Sequence, residues 1–439
     1  MSSGTVRDSH PPARVEKKWN VRPSEASLGI VNPIRELVER MGKPNPDKKV
    51  VSLAQGDPSA YGNLPPNPRF VEAVVACTTS GQGNGYSPSS GVEKARVAVA
   101  SAHSPPNRPV PPHHVFLTAG CSQGLEKAIS SLAFKGCNIL LPTPGFPLYE
   151  TICSFYGVEP RFYSLQGCKR WEANADHIEA LADDNTTALL VCNPGNPTGQ
   201  NYSEQHIRSL VQVADRLRLP IIADEVYADM VFAGETFTSV AEISHTVPVL
   251  SIGAVSKRCL VPGWRCGWIV VHDRNNILAD ANVIEALVRQ QMITLGPCGL
   301  IQEALPTILH QLKSDKKWTQ GVMAELQRSA DVTISRIQAI PGLKIISEPQ
   351  GAMYVLVGIS DSTYPGLSDD VVFAQRLMEE ESVVVLPGKC FRAPGTFRIC
   401  FAAPIAMIEE ACDRLADFCQ RLSVSPPGTP FAGLSPDHL

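Results

Sequence analysis

From Val115 onward, short apolar runs alternate with stretches in which apolar residues recur every three or four positions. The runs VFLTAG (115–120), NILLP (138–142), PRFYSL (160–165), TALLVCN (187–193), PIIADEVY (220–227), PVLSIGAVSK (248–257) and GWIVV (267–271) predict strands. Between them SQGLEKAISSLAF (122–134), FPLYETICSFYG (146–157), HIEALAD (177–183) and SEQHIRSLVQVADRL (203–217) carry the helical period. Short buried strands separated by helices of this length require βαβ crossovers, so the expected fold class is α/β with a mostly parallel sheet. Beyond residue 317 the order changes: a long helical pattern (317–340) leads into the strand-like LKIIS, AMYVLVGI and TFRICFA, with helices at 371–382 and 404–423. That is an α+β organisation. The chain is therefore expected to divide into a large domain (67–317) and a small one (28–66 with 318–424). A polar, proline-spotted arm (1–27) and a tail of similar composition (425–439) flank them.

Composition narrows the function. The 39 Lys plus Arg against 43 Asp plus Glu leave a formal charge of -4, with no broad basic field for a phosphodiester backbone, so nucleic acid is not an expected partner. Thirteen cysteines, an odd number with no CxxC pair and no histidine at ligand spacing, predict buried free thiols in a reducing compartment and no metal site. No apolar run approaches the roughly 20 residues that span a bilayer. A cytoplasmic, membrane-free protein is expected; the Pro11-Pro12 pair and Asp8 argue against a transit peptide.

Four pieces fall at predicted carboxyl ends of strands, where sheets of this kind place ligands: CNPGNPTG (192–199), ADEVY (223–227), AVSK (254–257) and PGWRCGW (262–268). Singly each is bland. A lone lysine is usually a solvated charge, NPTG a turn, an aspartate a cap. In this order and placement they fit pyridoxal phosphate. Its aldehyde needs a lysine amine that later shuttles a proton, and Lys257, next to Ser256, is the candidate. Its ring nitrogen stays protonated only beside a buried carboxylate, which Asp224 supplies. Tyr227 and Asn196 can reach the ring's phenolic oxygen, and Pro197 makes a cis bond plausible there. The phosphate needs a fixed cation, Arg265, and backbone donors at a helix start, Gly120, Cys121 and Ser122, where Ser122 is also an ordinary N-cap candidate.

NPTG, DEVY, SK and GWRCG in this order resemble the fold type I pyridoxal-phosphate aminotransferases, over about residues 19–421. GDPSAYGNLPP, AGCSQGLE and SKRCLVPGWRCGW resemble the members that act on aromatic amino acids. The resemblance implies that Phe146 stacks on the cofactor ring, that Arg398 grips the substrate's α-carboxylate in bidentate fashion, and that Gly56 gives the carboxylate a backbone contact. It also implies that Tyr86 reaches the phosphate of the other subunit, hence a homodimer with shared active sites. Two positions depart from the family pattern: Ala254 stands where Ser or Gly is usual, and Cys266 replaces an aliphatic residue. The arginine that dicarboxylate enzymes carry before the LGPC loop is not assignable among Arg289, Gln290 and Gln291.

The implied activity is ping-pong transamination between an aromatic L-amino acid, tyrosine first, and a 2-oxo acid such as 2-oxoglutarate or pyruvate. An alanine- or kynurenine-type aminotransferase, or a C–S lyase, would keep every residue named above. A cofactor-binding regulator would need a DNA-reading module, and no helix-turn-helix pattern precedes the core.

Overall fold

In the computed structural model, which describes residues 19, 21–364 and 369–424, eight strands form one sheet in the order 115–118, 267–272, 249–254, 221–224, 186–192, 138–143, 159–166, 172–173. The tail expected at 425–439 and most of the arm expected at 1–27 lie outside the described residues. The five strands from 249–254 to 159–166 run parallel, each crossing over through a helix. The 267–272 strand is antiparallel to both of its neighbours, and 172–173 caps the far edge antiparallel. The expected mostly parallel α/β sheet is present.

Period-two alternation within apolar strands lets both faces be covered. In Thr186–Cys192, Ala188, Leu190 and Cys192 join a core with Leu125, Ile129 and Tyr149, while Leu189 and Val191 join another with Ile207, Leu210 and Ala214. Each such fully buried Leu, Ile or Val stabilises the fold by roughly 1.5–3 kcal/mol. Helix starts follow local chemistry: Asn67, Asn174, Ser203 and Asp315 accept first-turn N–H groups, and Pro68 follows the first of them.

A second, antiparallel sheet runs 343–347, 354–359, 396–400, 386–387, covered by the helices Lys316–Gln338, Asp370–Glu381 and Ile405–Val424. Val51–Ser52 pairs with Val383–Val384, so the segment after the arm packs with the C-terminal elements: Met41, Val51, Leu53 and Leu64 share a core with Leu326, Phe373 and Phe418. Ala254 of the large sheet, and Tyr227 and Met230 from the turn after the 221–224 strand, enter that same core. All thirteen cysteines are free thiols. Among the described residues no helix is long and apolar enough to cross a membrane.

Two local expectations need correction. The strand predicted over 248–257 ends at Ala254, and Val255–Arg258 is a helical turn, because the chain must reverse here to return as the antiparallel 267–272 strand. PGWRCGW lies at the amino end of its strand, not the carboxyl end. That strand's reversed direction is what brings Arg265 to the same edge as the carboxyl ends of the parallel strands. Close approach there excludes side chains: a Cβ on Gly267 would sit 2.7 Å from the Gly120 backbone.

Candidate active site

A cavity of about 610 Å³ opens at this edge, between the large sheet and the segments 32–56 and 354–398. Of the residues singled out from the sequence, Gly56, Cys121, Ser122, Phe146, Asn196, Asp224, Tyr227, Ser256, Lys257, Arg265 and Arg398 line it. Gly120 lies directly behind, against the Arg265 guanidinium. Tyr86 does not reach the cavity of its own chain and is 96% exposed. Arg289, Gln290 and Gln291 do not line it either. Arg289 pairs with Glu285, and Gln291 is buried against the Leu117 carbonyl.

The Lys257 ammonium donates to the carbonyl oxygen of Gly56. Burial pushes its pKa below the usual lysine range, which raises the fraction of neutral, nucleophilic amine near neutral pH. Three residues earlier Ala254 is fully buried, so no hydroxyl is offered there, while the Ser256 side chain faces the cavity.

Asp224 ends its strand with both oxygens engaged. Oδ2 accepts from the Tyr149 hydroxyl at 2.7 Å, and Oδ1 accepts from the Val226 N–H at 3.3 Å and the Cys121 thiol at 3.5 Å. Burial raises its pKa even so, a cost that a buried cation opposite it would relieve. The Tyr227 and Tyr354 hydroxyls are 2.8 Å apart.

Arg398 is the most constrained cation in the cavity. Nη1 donates to Asn196 Oδ1 at 2.9 Å and Nη2 to the Ala54 carbonyl at 2.7 Å. Its guanidinium lies 4.2 Å from the Tyr354 ring centre and 4.6 Å from that of Phe391. Nε is buried without a partner. Because Asn196 accepts through its oxygen, its amide nitrogen remains free to donate into the cavity. The Asn196–Pro197 bond is cis, as are Asn193–Pro194 and Thr143–Pro144.

At the other end, Arg265 adopts φ +48° and donates to the carbonyls of Pro262 and Ala119, each at 3.1 Å. It faces the start of the Cys121–Leu132 helix, whose first-turn N–H groups have no intrahelical acceptor. The cap is Gly120, at φ +83°, with no side-chain cap; Ser122 sits within the first turn and is not the N-cap the sequence also allowed. The N-cap role goes to a glycine because the backbone must turn left-handed while lying against the guanidinium.

A cation and a helix start at one end, a buried carboxylate, an amine of lowered pKa and a phenol–amide pair make a donor set that fits pyridoxal phosphate. A Cβ at Gly120 would sit 2.7 Å from Arg265 Nη2, in a conformation that disfavours any side chain. Gly120→Ala is expected to keep the fold but weaken cofactor affinity at least about tenfold, a shift of about 1.4 kcal/mol. Titrating the apo protein with pyridoxal phosphate by absorbance checks this; unchanged affinity would separate Arg265 from the phosphate.

Beside Asp224, the buried Glu225 accepts from Ser239 Oγ and the Val240 N–H, and burial pushes its carboxyl up to about 7. Over the window from its ordinary value of 4.5 up to about 7, the folded chain holds a proton that the unfolded chain has released, so stability falls as pH rises through it. The loss is roughly 3 kcal/mol at most. Glu225→Gln is therefore expected to melt about 3 °C above the native protein at pH 8 and nearly with it at pH 5. Equal shifts at the two pH values would rule out this titration.

Several site residues carry no sequence motif of their own. Tyr149 braces Asp224, and Tyr354 and Phe391 sandwich Arg398. Tyr149 follows Phe146 by one helical turn, a spacing that could have pointed to it. Asn32, Ile34, Arg35 and Val38 close the mouth from the short helix Pro33–Arg40.

The description "Aminotransferase class I and II" is matched by residues 48–415. The chain is 42% identical over 405 residues to tyrosine aminotransferase of Mus musculus, covering 92% of this chain and 88% of that protein. It is 39% identical over 407 residues to tyrosine aminotransferase of Dictyostelium discoideum, covering 92% and 97%. The crystal structure of tyrosine aminotransferase from Leishmania infantum superimposes with a TM-score of 0.87 at 31% identity, over 92% of this chain and all of that one. A match of this extent, on a cavity whose donors suit the cofactor, settles the family: the chain belongs to the class I and II aminotransferases, fold type I enzymes that depend on pyridoxal phosphate.

Proposed function

We propose that the protein transaminates aromatic L-amino acids, tyrosine foremost, with a 2-oxo acid such as 2-oxoglutarate or pyruvate as acceptor, in a ping-pong cycle. The observation that carries this reading is the convergence of Lys257, Asp224, Arg265 and Arg398 on one cavity in a chain 42% identical to a tyrosine aminotransferase. When bound, the cofactor supplies the aldehyde that takes the amino group and an electron-withdrawing ring that steadies charge on the substrate's α carbon.

The chain's residues supply the rest. Arg398, planar and already tethered, binds the α-carboxylate through its remaining N–H groups and so orients the α C–H toward Lys257. Lys257 Nζ, neutral in part because burial lowers its pKa, takes the α proton and would pass it to the bound cofactor, the reverse half-reaction running the same transfer backwards. Asp224, braced by Tyr149, would hold a proton on the ring nitrogen. Tyr227 and the Asn196 amide would donate to the ring oxygen, Phe146 would pack on the ring, and Arg265, Ser256 and the 120–122 backbone would hold the phosphate. The Gly56 N–H, not the carbonyl that Lys257 holds, would give the substrate carboxylate its backbone contact. The same proposal includes a cytoplasmic homodimer in which Tyr86, exposed in the single chain, reaches the partner's phosphate, and the division into a large (67–317) and a small (28–66 with 318–424) domain.

An absorbance titration with tyrosine and then alanine, without oxo acid, tests the reading. Conversion of the bound cofactor to its amine form by tyrosine at lower concentration than by alanine supports it. Release of ammonia and pyruvate from a cysteine conjugate, without a new amino acid, would assign the chain to C–S lysis; one relative, the S-alkyl-thiohydroximate lyase of Arabidopsis thaliana, is 36% identical over 389 residues.

A further inference from the structure

The opposite edge of the large sheet gathers cations around a second cavity. The 267–272 strand begins beside Arg265 and ends at His272, roughly 20 Å away at 3.3 Å per residue. There a cavity of about 530 Å³ is lined by Arg108, His113, His114, His272 and Arg274. The cations are held in place. Arg108 donates to the carbonyl of Ser244 at 2.6 Å and to that of Glu242, and Arg274 Nη1 lies 3.2 Å from His245 Nδ1. Among the described residues neither guanidinium forms an ion pair. Burial, and after it the nearness of Arg274, lowers the Arg108 pKa, and the Glu242 carboxylate offsets this only in part.

Of the acidic neighbours, Glu242 hydrogen-bonds Arg108 through its backbone carbonyl, and its carboxylate acts on the guanidinium only from beyond ion-pair distance. Asp273, the one carboxylate in the lining, accepts the Leu278 and Ala279 N–H groups at 2.9 Å through Oδ2, and its Oδ1 is buried without a partner. His272 Nε2 is likewise buried and unpartnered. Its pKa is pushed down to about 4, so the ring is a neutral polar partner at pH 7.

We propose that this cavity is a binding site for a protonated oxyanion of the phosphate class, hydrogen phosphate or the monoanion of a small phosphate monoester. Unprotonated oxygens accept from the two guanidiniums, neither of which is held in an ion pair among the described residues. The single P–OH donates to the Asp273 oxygen that lacks a donor. Sulfate, fully deprotonated at neutral pH, has no hydrogen for that oxygen and meets a carboxylate head-on. The site is separate from the cofactor's phosphate cup and does not depend on the reaction proposed above.

The test uses the holoenzyme, in which the cofactor already occupies the Arg265 cup. Binding of inorganic phosphate and of glycerol 3-phosphate is followed by calorimetry, with sulfate as competitor, in the native protein and in Arg274→Gln. Saturable one-site binding is expected, weakened at least about tenfold in Arg274→Gln while its turnover and melting temperature stay native. The tighter of the two probes tells monoester from free phosphate. The proposal is overturned if neither probe binds the native holoenzyme, if Arg274→Gln binds as tightly, or if sulfate displaces phosphate at equal concentration.

Discussion

Lys257→Ala is expected to lower turnover of tyrosine with 2-oxoglutarate by at least about 10⁴-fold, the upper range for losing a positioned acid–base group, with the covalent role lost as well. The fold should survive. In the native protein the ammonium is tied to one carbonyl, that of Gly56, at the cavity wall, so its loss leaves an acceptor that water can reach. Two readouts separate a chemical role from a structural one. Small exogenous amines should restore part of the rate if Nζ is the base, and the melting temperature should be near native. A variant within tenfold of the native rate would mean that another group moves the proton. In the native enzyme the base must be neutral, so the rate of the proton-transfer step should rise with pH through the lowered lysine pKa and level off above it.

The second large effect is expected at Arg398. Replacing it with glutamine removes two charge-assisted donors to a carboxylate, each of about 1.5–3 kcal/mol, so kcat/KM for the amino acid should fall by roughly 10² to 10⁴. Most of the loss should appear in KM, since the carboxylate is bound alike before and during reaction. Arg398→Lys should recover little of it. A lysine cannot lie flat between Tyr354 and Phe391, nor reach Asn196, Ala54 and a substrate together. Steady-state kinetics with tyrosine varied at fixed 2-oxoglutarate read the split. A loss confined to kcat would place Arg398 in the chemistry and not in carboxylate binding.

Much of this site could be found without coordinates because the strands that bear it are short, apolar and regularly spaced. A buried strand ends abruptly, and the residues just past its end have little freedom in where they point. Asp224 closes one such strand, and Asn196 and Lys257 follow two others, so position in the text was nearly position in space. The glycine at 120 was visible for a related reason, since a strand leaving into a helix start has few ways to turn.

What escaped were the groups that meet only across the packed interior. Tyr149 braces Asp224 from a helix 75 residues away, and Tyr354 and Phe391 enclose Arg398 from a different strand and a loop turn. Tyrosines and phenylalanines look alike in sequence whether they fill a core or clamp a cation. The direction of the 267–272 strand was hidden too: periodicity gives a strand its faces and not its sense, and that sense places Arg265 beside the cofactor cavity and His272 at the other edge. Local patterning and residue type were enough for the layered α/β class, for the cofactor and for the choice of residues that line its cavity. Strand direction, the brace on Asp224, the aromatic clamp on Arg398 and the gathering of Arg108 with Arg274 were decided by the tertiary structure alone, because each depends on contacts between segments that local propensity does not relate.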